Sequence, residues 1–171
     1  FSKAKHHIHL EFYYIEDDLW QVVGDLLIDK AREGVEIRLL YDDVAAGKFP
    51  HLFYDEMRGA GIEARGFLKV RFPVFTSKVN LSLITVKIVV FDGKVAFTGG
   101  MNIALRYMKG FQWGIWRDTH IKIEGKAVVW VANGFFEDWY VVDRTLITSS
   151  RYFPEMDSYG NALMQIVTSD P

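Results

Sequence analysis

An α/β domain with a mixed sheet and helices on both faces is what this chain predicts, on three observations. Strand-like and helix-like segments alternate through the first third of the chain. Two strand-like segments in the middle flank Asp92-Gly93, a hairpin turn pair. Half of the 171 residues are apolar, without a low-complexity tract, so a sizeable core can be buried. Alternation implies parallel pairing through right-handed crossovers, and the hairpin adds antiparallel strands.

Taken in order, His7 to Ile15 is aromatic and β-branched, as a half-buried or central strand is, and Asp17 and Asp18 mark a helix start. Leu19, Val22, Val23, Leu26, Leu27 and Ala31 follow at helical spacing, and Gly34 closes that helix. Val35 to Tyr41 reads as a strand, Phe49 to Arg58 as a helix stopped by Gly59 and Gly61, and Ile62 to Phe67 as a third strand. Lys87 to Phe91 and Val95 to Thr98 form the hairpin, and Asp118 to Ile123 is a further strand. Ala127 to Val142 is helical, with Val128, Val131, Phe135 and Trp139 on one face. From Arg144 the composition turns polar and turn-rich, which sets a domain over 1–144 and a connector over 145–171.

The formal charge of -2 lacks the basic footprint of phosphate-backbone binding, so nucleic acid is not the expected partner. The chain has no cysteine, which removes disulfides and thiolate zinc sites. No apolar run reaches membrane-spanning length. An opening at Phe1 directly into strand-like sequence, and a strand-like Met164 to Val167, suggest a piece of a longer chain, so a missing anchor says nothing of the parent.

The chemistry-bearing pattern is Lys87, four residues, Asp92, six residues, Gly99-Gly100-Met101-Asn102, with Thr85 two positions before the lysine. On a strand, 85 and 87 project to one face. The glycine pair lets backbone approach an anion, and Asn102, expected near the start of a short helix through Tyr107, is a hydrogen-bond donor beside it. Lys87 and Asn102 together suit charge developing on the oxygens of an attacked phosphodiester.

This pattern resembles the phospholipase D signature H-x-K-x4-D-x6-G-G/S-x-N at every position except the histidine. His7 to Asp18, Lys30 to Asp43 and Trp116-Arg117-Asp118-Thr119-His120 resemble bacterial cardiolipin synthases of that superfamily, and the likeness extends through Phe135 to Trp139 to Gln165-Ile166-Val167. The resemblance implies a phospholipase D-like mixed sheet, one half of a pseudo-twofold pair in which two such halves face each other. One histidine attacks phosphate and the other protonates the leaving alcohol, and phosphatidyl passes between phosphatidylglycerol molecules. It implies Thr85, Lys87, Asp92, Asn102 and Asp118 as catalytic positions, and Lys87, Gly99, Gly100 and Asn102 as the phosphate-binding set. Asp118 falls where an acid orients the histidine; pairing with Arg117 or a turn amide is the other reading. No metal and no cofactor is implied. The implied partners are a phospholipid, a second half and a membrane surface, at the cytoplasmic side of a bacterial inner membrane.

Thr85 stands where the signature has histidine. A threonine hydroxyl has no pKa near neutrality and cannot return a proton to a leaving group, so this half is expected to be inactive as written. Two origins stay open. One is a half that evolved away from catalysis. The other is a shifted reading frame: AAC TAT CGC AAT CAC CGT AAA, encoding N-Y-R-N-H-R-K, becomes AAC TTA TCG CTA ATC ACC GTA AAA after single-base insertions of T, T and A. The second string encodes Asn80 to Lys87 as they stand. Burial of Leu81, Leu83 and Ile84 would distinguish the two. A phospholipase D-type phosphodiesterase or nuclease, and a non-catalytic supporting half, are the competing functions.

Elsewhere, His6, His7 and His9 invite a metal, but no carboxylate or cysteine motif accompanies them and packing explains them more simply. Glu16-Asp17-Asp18 and Asp42-Asp43 are explained by capping and strand-end solvation. Phe67 to Phe75 and Arg106 to Trp116 mix aromatics with cations, which fits both a lipid interface and ordinary core aromatics.

Overall fold

The computed structural model describes residues 1–13, 17–42, 51–67, 87–110, 112–114 and 116–167, the side chains of 17, 18, 51 and 52 excepted. Six strands form one sheet in the order β3-β2-β1-β4-β5-β6: β1 His7–Phe12, β2 Glu36–Asp42, β3 Glu63–Phe67, β4 Ile88–Phe91, β5 Val95–Gly99 and β6 His120–Glu124. β1, β2 and β3 are parallel, and β4, β5 and β6 each run antiparallel to their predecessor in that order. The helices are α1 Asp17–Arg32, α2 His51–Gly59, α3 Arg106–Lys109 and α4 Val128–Asp143, with a short 3₁₀ turn at Ser150–Tyr152. The mixed sheet, its parallel crossovers and the Asp92-Gly93 hairpin stand where the sequence placed them. Asp92 and Gly93 adopt φ of 54° and 65°, Lys94 N–H donates to the Phe91 carbonyl at 2.9 Å, and three residues separate the paired Phe91 and Val95.

Each sheet face has its own core. Ile8, Leu10, Ile37 and Leu39 face α1 and α2 and pack with Trp20, Leu27 and Met57. Leu40, Ile88, Val90, Ala96 and Ile123 face α4 and pack with Val128, Val131, Phe135 and Trp139. The four α4 residues expected on one face are all buried. In α1 the buried stripe is narrower than its periodicity suggests: Trp20, Val23, Leu27 and Ile28 are buried, while Val22 and Leu26 lie exposed beyond the edge of the sheet contact.

β1 departs from simple amphipathic alternation. Ile8, Leu10 and Phe12 face one core, yet His7, His9 and Glu11 on the other side are also fully buried, because α4 and Tyr152 cover them. His9 stacks on Phe135 with ring centroids 4.8 Å apart, and His7 meets Tyr152 edge-on at 5.1 Å. Burial depresses both imidazoles, His7 to about 4, so both are neutral packing groups. Among the described residues no cluster of His, Asp and Glu is arranged to hold a metal. Tyr152, inside the expected connector, joins the α4-side core and hydrogen-bonds Glu36 and Arg38. Met164 to Val167, expected as a beginning strand, pairs with no described strand, and a strand exists only with a neighbouring ladder.

Candidate active site

The topology brings six chain segments to one end of the sheet: the C-terminal ends of β1, β2, β3 and β5 and the N-terminal ends of β4 and β6. Lys87 enters β4 at this end, Gly99 closes β5, and Asp118 and Thr119 lead into β6. The register ties them together. Ile88 lies opposite Thr98, so one further step sets Lys87 level with Gly99, and Gly99 lies opposite His120. Ile88 and Ile123 both face α4, which puts Lys87, Gly99 and His120 in one cross-strand row on the opposite face.

Two glycines make this corner passable. Gly99 has φ of 148°, and a Cβ there would stand 2.4 Å from the Thr119 carbonyl oxygen and 3.0 Å from His120 Nδ1. At Gly100 a Cβ would stand 2.1 Å from Asp118 Oδ1, so the carboxylate occupies the space that a side chain would take. The ladder reaches one step past β5, with Gly100 N–H donating to the Thr119 carbonyl at 2.9 Å. Asp118 Oδ1 accepts from the Thr119 amide at 2.7 Å, which realises the turn-amide pairing while leaving the carboxylate over Gly100. Burial lowers the Lys87 pKa from its ordinary value, and the Asp118 carboxylate pulls it back up. Asn102 is half-buried, with Oδ1 enclosed and without a hydrogen-bond partner among the described residues. It lies in irregular chain, not at a helix start: α3 begins only at Arg106 and is a single turn.

Asp92 is not brought to this corner. It sits in the β4–β5 turn at the opposite end of the sheet, roughly 15 Å along the strand from Lys87. Its Oδ1 accepts from the backbone N–H groups of His6 at 2.8 Å and His7 at 3.0 Å, and its Oδ2 from that of Lys5 at 3.0 Å. Burial works against its charge, but those amides outweigh it and hold the carboxyl below its ordinary range. The catalytic expectation for Asp92 is therefore corrected: the side chain clamps the entry of β1 onto the hairpin. Thr85, and the packing of Leu81, Leu83 and Ile84, lie outside the described residues. Of the aromatic and cationic segment Phe67 to Phe75, residues 68–75 lie outside them too, whereas Met108 and Trp113 are exposed on the segment joining Asn102 to Asp118. His120 was not singled out by sequence reasoning. Its signal was available, since it follows Asp118 by two positions at the mouth of a strand and so shares its side.

Residues 1–139 match the family model described as "Cardiolipin synthase, PLD-like domain". The chain belongs to that family. It is 39% identical over 174 residues to a cardiolipin synthase of a Geobacillus strain, and 40% identical over 177 residues to the major cardiolipin synthase ClsA of Bacillus subtilis. Each match takes in 99% of this chain but only 34% and 36% of those proteins, so the chain spans about a third of the length of these curated relatives. Among solved structures it is similar to Nuc of Salmonella typhimurium, a phospholipase D family member, at TM-score 0.59 and 14% identity over 82% of both chains. NucT of Helicobacter pylori is similar at TM-score 0.54 and 12% identity, over 82% of this chain and 83% of that one. These structural likenesses establish the phospholipase D-like α/β fold.

Proposed function

We propose that this chain is the first phosphate-binding half of a cardiolipin synthase, and that the parent transfers phosphatidyl between phosphatidylglycerol molecules at a bacterial inner membrane, on its cytoplasmic side. The observation that carries the reading is the convergence of Lys87, Gly99, Gly100, Asn102 and Asp118 on one end of the sheet in a member of this family. Lys87 supplies positive charge and Asn102, with its amide turned to present N–H, a donor to non-bridging phosphate oxygens. Gly99 adds no side chain of its own to that floor, and the space over Gly100 is taken by the Asp118 carboxylate.

In the reaction that the family resemblance implies, an imidazole nitrogen bonds phosphorus as the bond to the glycerol oxygen breaks. A second imidazole gives that oxygen its proton, and the glycerol hydroxyl of another phosphatidylglycerol then displaces the first imidazole. Two halves are needed, and the relatives' greater length accommodates the second. No helix of the described residues is long and apolar enough to span a bilayer. With Thr85 in place of the motif histidine, this half holds phosphate without moving a proton. Thr85 also favours a second reading, a non-catalytic half that supports an active partner half.

The test is to express the full-length parent with the loop as it stands and with the loop rebuilt as N-Y-R-N-H-R-K, and to assay cardiolipin formation from phosphatidylglycerol vesicles. Cardiolipin from the rebuilt protein alone is the expected result. Folded proteins that both make none would refute the transferase reading, and equal activity in both would refute the disabling role of Thr85.

A further inference from the structure

We propose that His120 is a member of the phosphate site, donating a hydrogen bond from Nδ1 to a non-bridging oxygen of the phosphate that Lys87 and Asn102 hold. The inference rests on the phosphate-site reading above and extends it to a residue that the signature does not contain. Three observations converge. The register puts Lys87, Gly99 and His120 in one row across three strands, with the outer two backbones roughly 10 Å apart. Gly99 between them has no side chain, His120 Nδ1 lies 3.0 Å from where its Cβ would stand, and the Lys87 charge is near enough to act on the imidazole. Finally, His120 Nδ1 is buried and has no hydrogen-bond partner among the described residues, although a buried ring nitrogen is normally satisfied.

An anion between Lys87 and His120 answers all three. It supplies the acceptor that Nδ1 lacks, and it places negative charge beside the Lys87 cation. The electrostatics agree: burial first, and then the Lys87 charge, disfavour the imidazolium, while Asp118 favours it, so the ring is neutral before phosphate arrives. A neutral imidazole has a single N–H, and a phosphate oxygen in this position selects the tautomer that carries it on Nδ1. The role is that of a hydrogen-bond donor to phosphate.

The test measures inorganic phosphate binding to the full chain by calorimetry, with thermal melting recorded for every variant. His120→Leu is expected to weaken binding about tenfold or more, the contribution of a hydrogen bond to a charged acceptor. His120→Asn, whose amide nitrogen occupies the place of Nδ1, is expected to restore most of it. In the wild type, phosphate is expected to shift the His120 ring nitrogen resonances, and Lys87→Ala is expected to abolish that shift. If His120→Leu melts like the wild type and binds phosphate equally well while Lys87→Ala does not bind, the assignment of His120 is overturned and the Lys87 site stands. If the wild type binds no phosphate, both fall.

Discussion

Asp92→Ala and Asp92→Asn should destabilise the chain without weakening its hold on phosphate, a combination that a catalytic aspartate would not give. The carboxylate accepts three backbone N–H groups, those of Lys5, His6 and His7, of which Lys5 and His6 are exposed and His7 is buried. Exposed amides recover water when the acceptor is lost, so those two contribute about 0.5 kcal/mol each, and the enclosed His7 amide about 1 to 2 kcal/mol. Asp92 also sits at φ of 54°, a conformation that costs alanine roughly 1 kcal/mol more than aspartate or asparagine. Asp92→Ala therefore costs about 3 to 4 kcal/mol, and Asp92→Asn, which keeps one acceptor oxygen and the turn, about 1 kcal/mol. The assay is equilibrium urea unfolding followed by circular dichroism, with phosphate binding in parallel. The depressed carboxyl also sets a pH window. Its contribution is fully present above the unfolded carboxylate range near pH 4, and is lost as pH falls through the lower folded value. An Asp92→Ala chain within about 0.5 kcal/mol of wild type would refute the clamp, and loss of phosphate binding with unchanged stability would return Asp92 to the site.

Other expectations follow from the same geometry. Gly100→Ala drives a Cβ to within 2.1 Å of Asp118 Oδ1, so the carboxylate must swing away; weaker Lys87-dependent phosphate binding, with a smaller change in melting, is expected by calorimetry. Gly99→Ala meets the Thr119 carbonyl at 2.4 Å, a backbone atom in a ladder, and should destabilise the fold by about 2 to 4 kcal/mol in urea unfolding. His7, with a folded pKa of about 4 against about 6.5 unfolded, binds fewer protons folded than unfolded between those values. Stability should thus fall as pH drops from about 6.5 toward 4, and His7→Gln should flatten that slope in pH-dependent unfolding. Sequencing the coding DNA tests the shifted frame: codons other than AAC TTA TCG CTA ATC ACC GTA AAA would exclude those particular insertions, and AAC TAT CGC AAT CAC CGT AAA would establish that the written loop is a misreading.

By itself, the sequence determined the mixed α/β class, the parallel first three strands and the hairpin, and it supplied most of the residues proposed for the phosphate site. Each rests on local chemistry: period-two and helical apolar spacing, a turn that demands positive φ, and a motif whose lysine, glycines and asparagine stand at set intervals. Only the tertiary structure decided where Asp92 and His120 stand. Asp92 lies inside the motif but at the far end of a strand, and its partners come from the main chain of Lys5 to His7, which carries no sequence signal. His120 lies outside the motif, and it joins Lys87 only because β4, β5 and β6 pair in the register that puts a glycine between them. The same holds for β1, whose alternation of histidines and glutamate with apolar residues suggests one wet face. Its central position, with Phe135 and Tyr152 over the polar side, keeps both faces dry. Which residues a chain gathers at one point in space depends on strand order and register, and those are set by long-range pairing that no local window of sequence contains.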